Sequence, residues 1–72
     1  MPPVTYNDYA RLKRGDIVEF DNGKVYTVVT TKSVEDGLWI VFNQAETFVR
    51  RKDELRPFKV VGYHRLPDVK LI

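Results

Sequence analysis

Ser33 and His64 are where hydrolytic chemistry would have to begin. The chain has one serine, one histidine and no cysteine. Nucleophilic catalysis needs a nucleophile, a base and an orienting group held within reach of one another. Ser33 stands in the turn-like stretch "TTKSVEDG", and His64 lies near the far end between Tyr63 and Arg65. No spacing links them. The acidic pairs Glu35-Asp36 and Asp53-Glu54 are sequence neighbours. In a strand their carboxylates point apart, and in a turn they are ordinary residues. "DNGK" holds too few oxygens for a calcium loop. Without cysteine there is no thiolate zinc site and no disulfide framework. Gly15, Gly23, Gly37 and Gly62 are scattered rather than gathered into a phosphate-cradling loop. The expectation is a protein that is not an enzyme and that uses no cofactor and no metal.

Binding is the chemistry that remains. Arg50, Arg51 and Lys52 form the densest basic cluster, with Arg56 and Lys59 close behind. Cations beside exposed aromatic rings are what single-stranded nucleic acid requires, for phosphate neutralisation and base stacking. If a strand runs through Arg50 and Arg51, however, the two must point to opposite faces. Residues 1–36 carry five Lys/Arg against six Asp/Glu, and residues 37–72 carry seven against four. The net charge is only +2, well below that of a dedicated nucleic-acid binder. A solvated or salt-bridged face is the ordinary reading of such a cluster, and a charged rim around a protein interface is a further one.

The stretch "GLWIVFN" (37–43) raises the main question. In a strand Leu38, Ile40 and Phe42 share one face, and Trp39 and Val41 share the other. If the first set fills the core, something must cover the second. Burying one large side chain is worth about 1.5–3 kcal/mol, so a small domain can hardly leave several of them wet. Three covers are open: an N-terminal helix using Tyr6, Tyr9 and Ala10; the apolar C-terminal residues Leu66, Val69, Leu71 and Ile72; or a partner. Trp, Tyr and Arg are the side chains that most often anchor interfaces. The expected anchors are therefore Tyr6, Tyr9 and Trp39, with a rim of Arg11, Lys13, Arg14, Arg50, Arg51 and Lys52.

The elements that must position these residues follow from local signals. In "VTYNDYARLKRGD", Thr5 caps a helix and Asp8 is placed to return the bond, with Val4 and Tyr9 spaced as a hydrophobic staple. Lys13 and Arg14 suit a last turn and Gly15 a left-handed stop, so a short helix is expected near residues 6–14. Beyond it come "DIVEF", the turn "DNG", "KVYTVVTTK", the turn "EDG", "LWIVFN", the turn "NQAE", "TFVRR", the polar "KDELRP" and a last strand "FKVVGY". Five strands joined by tight turns predict a mostly β, antiparallel five-stranded roll or barrel with one short N-terminal helix. Seventy-two residues make a single domain with a thin core, here residues 1–65, followed by a C-terminal tail, 66–72, that Pro67 separates from the strand pattern. Hydrophobic residues are 43 % and charged residues 31 %, a globular balance. No run of about 18 apolar residues exists, and the opening lacks a signal peptide's blocks. A complete, soluble, cytoplasmic gene product is expected.

The segments "KRGDIVEF-DNGKVYTVV", "LWIVF", "TFVRRKDELRPF" and "KVV" resemble an SH3-like barrel of the KOW and Tudor kind over roughly residues 13–62. The likeness lies in the Gly-Asp lead into the first strand, the central aromatic strand and the polar turn before the closing strand. The Gly-Lys-x-Gly loop of KOW modules is missing after "KRGDIVEF", so no KOW nucleic-acid contact is carried over. The length and the opening "MPPVTYNDY" are similar to small phage-encoded regulators that bind host RNA polymerase. That resemblance implies a monomer in the host cytoplasm that docks on the polymerase and inhibits or redirects transcription. An RNA- or DNA-binding barrel using the basic second half is the alternative. Self-pairing through an open strand edge is a third reading.

Overall fold

The computed structural model describes residues 2–52 and 55–65. The elements run α1 (Tyr6–Ala10), β1 (Asp16–Phe20), β2 (Val25–Val34), β3 (Gly37–Phe42), β4 (Glu46–Arg50) and β5 (Phe58–Tyr63). The strands form one antiparallel five-stranded sheet in the order β4-β3-β2-β1-β5. This mostly β architecture is the expected one, and it is compatible with an SH3-like barrel.

β2 shapes the roll. Its first residues, Val25–Thr27, pair with β1, and the stretch from Val28 to Val34 pairs with β3. The register slips between Val28 and Thr30, leaving Val29 as an extra residue. Such a bulge bends a strand and increases its twist, which lets one long strand serve both halves of a curled sheet. A second slip, between Ile17 and Val18 of β1, leaves Val61 of β5 unmatched.

The concave side is the core. Val18, Val28 and Ile40 are completely buried, and Phe20, Leu38, Phe42, Val49 and Phe58 pack with them. Leu38, Ile40 and Phe42 thus occupy the face that alternation assigns them. The rings of Phe20 and Phe42 meet edge-on, with centroids 5.9 Å apart.

The helix departs from expectation. It ends at Ala10, with Arg11 as its C-cap, instead of running to residue 14. The Asp8 carboxylate accepts from the Thr5 amide at 2.7 Å and from its hydroxyl at 3.2 Å, so the N-terminus is closed as the sequence suggests. The far end is lost to a competing turn. The Lys13 amide donates to the Asp16 side chain at 2.8 Å, and the Asp16 amide donates to the Lys13 carbonyl at 3.0 Å. Local bonds of this kind offer the backbone an alternative to helix. Gly15, with φ of +97°, serves this turn rather than a helix stop. A Cβ there would strike the Tyr63 ring and the His64 carbonyl, so glycine lets the end of β5 close down on the start of β1.

The helix does not cover Trp39. Tyr9 and Leu12 are buried in the core cluster, and the Tyr9 ring lies 4.6 Å from that of Phe58. The N-terminal segment therefore caps the concave side, opposite Trp39. The other internal cover, by Leu66, Val69, Leu71 and Ile72, lies outside the described residues.

Candidate functional site

A two-residue loop, Asn43-Gln44, sets the site's register. The Phe42 amide donates to the Ala45 carbonyl at 2.7 Å, so residues 42 and 45 form the first pair of the β3–β4 hairpin. Counting along the ladder brings Trp39 opposite Phe48, Val41 opposite Glu46 and Gly37 opposite Arg50. Trp39 and Phe48 fall at a non-hydrogen-bonded position, where side chains approach most closely. Their ring centroids are 4.8 Å apart with planes tilted by 52°.

The rings make a platform on the convex face. Trp39 keeps 42 % of its surface exposed. A Cβ on Gly37 would lie 3.0 Å from the Phe48 ring, so the missing side chain at residue 37 seats that ring. The Arg50 guanidinium stands 6.0 Å from the Phe48 centroid, and Lys32 of β2 is the other cross-strand neighbour of Trp39. Cations beside aromatic faces are attracted by the ring quadrupole. Acidic residues alternate with them: Glu46 is opposite Val41, and Glu35 and Asp36 border the same shallow depression as Arg50, Arg51 and Lys52.

The expected site residues separate into groups. Trp39 and Arg50 belong to the platform. Arg51 points away from it and lies over the Tyr6 ring, 5.3 Å from the centroid, while Lys52 is exposed in the turn after β4. The opposed directions of Arg50 and Arg51 follow from a strand that runs through Arg50. Tyr6 is half-buried against the core. Tyr9 is no exposed anchor: it is 3 % accessible and its hydroxyl donates to the Arg56 carbonyl. Burial raises the Tyr9 pKa above its ordinary value of 10.0, an effect that the nearby Arg56 charge opposes and Asp21 reinforces. Arg11 and Lys13 are exposed near the helix, Arg11 reaching to 4.0 Å from Asp8. The Arg14 guanidinium donates to the Val29 carbonyl at 3.1 Å. Arg11 is thus placed beside Asp8, and Arg14 against the backbone of β2.

Phe48 and Lys32 were missed. Both were legible in principle, because a two-residue turn at 43–44 pairs Trp39 with Phe48 and a two-residue turn at 35–36 pairs it with Lys32. Only the turn length had to be read correctly.

A groove of about 340 Å³ lies on the concave side, lined by Tyr9, Phe20, Tyr26, Phe42, Thr47 and Arg56 among others. Its rings belong to the core's own aromatic contacts, and Arg56 is held by Asp21 at 2.8 Å and by the Phe20 ring at 5.2 Å. Ser33 pairs with Leu38 of β3, whereas the His64 amide bonds the Gly15 carbonyl at 2.7 Å, so the two sit on different ladders. Among the described residues no cluster of His, Cys, Asp and Glu is arranged to hold a metal, and no helix is long and apolar enough to cross a membrane. The chain matches no protein-family model, no curated protein and no solved structure.

Proposed function

We propose that this chain is a non-enzymatic binding module and that the Trp39–Phe48 platform is where it grips another protein. The observation carrying this reading is the exposed Trp39 ring, packed at a tilt against Phe48 and left uncovered by the helix. An aromatic pair flanked by Arg50 supplies the residue types that dominate interface energetics. The interleaved Glu46, Glu35 and Asp36 favour a protein over a nucleic acid, whose backbone presents charge of a single sign. A domain of this size can offer an interface of about 800 Å² per partner.

The resemblance to small phage regulators supplies the finer reading. In it the partner is bacterial RNA polymerase in the host cytoplasm, and the bound module inhibits or redirects transcription by occupying a surface that nucleic acid or a host factor needs. The test is binding of the purified polymerase to the immobilised chain, with and without nuclease treatment, for wild type and Trp39→Ala. Nuclease-resistant binding lost in Trp39→Ala is expected. Binding that vanishes with nuclease and falls steeply with salt would move the assignment to the nucleic-acid alternative.

A further inference from the structure

β4 is one margin of the sheet. Hydrogen-bonding directions alternate along an antiparallel pair. Because Phe42 bonds Ala45, and the Arg51 amide bonds the Asp36 carbonyl at 3.3 Å, Thr47 and Val49 turn their backbone groups toward β3. Glu46, Phe48 and Arg50 then turn theirs outward, and among the described residues no backbone group bonds them there. The side chains of the same three residues share the convex face.

We propose that a second copy of this chain pairs antiparallel with β4 about a two-fold axis at Phe48. The segment "ETFVR" is antisymmetric in charge about its centre. With Phe48 on the axis, Glu46 of each copy lies opposite Arg50 of the other, and the two Phe48 residues exchange backbone bonds. All the outward groups of β4 are satisfied together. A two-fold axis at Glu46 or Arg50 would place like charges opposite each other, which is destabilising. A two-fold axis at Thr47 would set Glu46 against Phe48, and one at Val49 would set Phe48 against Arg50 and leave Glu46 without a partner inside the paired strand. Charge complementarity thus selects one register and one occupant.

The other margin is less suited. β5 carries the bulge at Val61 and the cation Lys59, two devices that discourage edge pairing. The β4 pairing also lengthens the platform, since the aromatic order across the dimer becomes Trp39, Phe48, Phe48 and Trp39. The convex face stays open, so this inference goes beyond the docking reading and does not depend on it. It replaces the monomer expected from sequence with a weak dimer, because the paired edge is short.

Sedimentation equilibrium of the full chain over a wide concentration range tests it. The apparent mass should climb from 8.4 kDa toward twice that value. Glu46→Arg or Arg50→Glu turns both symmetry-related attractions into repulsions and should raise the dissociation constant by about tenfold or more. The double exchange E46R/R50E restores the complementarity and should restore the dimer. An N-methyl group on Phe48, placed by chemical synthesis, removes an outward donor without altering charge and should also abolish pairing. A wild-type chain that stays at the monomer mass overturns the proposal. So do single reversals that dimerise like wild type, or a folded double variant that does not recover. No partner enters these measurements, so their failure leaves the platform reading to its own test.

Discussion

Trp39 and Phe48 face each other across a non-hydrogen-bonded position of the β3–β4 ladder, on the side of the sheet turned away from the core. The pair is held from below by the absence of a side chain at Gly37 and flanked by the Arg50 guanidinium. Its stability and its proposed function are therefore separable, because neither ring contributes to the buried cluster.

Trp39→Ala should leave a folded chain. It forfeits the ring pair and some partial burial, a loss of about 1–2 kcal/mol. Ile40→Ala, one residue along and completely buried, should cost about 2–5 kcal/mol, because a cavity remains where the side chain was. Urea unfolding of the two variants checks the contrast. A Trp39→Ala chain that unfolds as readily as Ile40→Ala would place Trp39 in the core.

Gly37→Ala probes the seat of the Phe48 ring. The new methyl would lie against the Val49 carbonyl oxygen as well as the ring, and backbone is slow to yield. The β3–β4 hairpin should loosen, at a cost of about 1–3 kcal/mol for overpacking. Near-ultraviolet circular dichroism should lose the signal of the tilted Trp39–Phe48 pair. An unchanged spectrum with unchanged melting would contradict this packing.

Tyr9 makes stability sensitive to alkaline pH. Its folded-state pKa is raised by burial, so the unfolded chain releases the phenolic proton first. Its stabilising share is complete below the unfolded value of about 10 and is lost as pH rises through the folded value. Tyr9→Phe should remove this decline and cost about 1 kcal/mol at neutral pH, for the bond to the Arg56 carbonyl. Melting curves between neutral and strongly alkaline pH would show wild type and variant converging. Parallel curves would refute the assignment.

Arg50 and Arg51 should separate in their effects. Arg50 borders the platform, and Arg50→Ala should slow association with the partner at low salt, because rim charges act mainly on encounter. Arg51 stacks on Tyr6, and Arg51→Ala should instead cost about 0.5–1 kcal/mol of stability. Stopped-flow binding and thermal melts, run on both variants, distinguish the roles. Equal effects on the association rate would merge them.

Much of the fold was legible because its signals are local. Alternation in "GLWIVF" separates the core face from the platform face, the "DNG" and "EDG" turns set off the strands, and Asp8 closes the start of the helix. The helix end was not legible, since Lys13 and Asp16 form a turn whose bonds compete with helix over the same residues. The loss of Tyr9 from the exposed anchors has a different origin: its spacing suits a surface helix, but the ring reaches Phe58, far away in sequence.

By itself the chain determined which side chains alternate, where it turns and that Trp39 must leave the core, since these depend on neighbours a few residues apart. Only the tertiary structure decided that the helix lies on the opposite side from Trp39, that Tyr9 enters the core against Phe58, and that Arg51 meets the Tyr6 ring. Those outcomes depend on which strands lie next to one another, and strand order arises from burial shared among residues distant in sequence.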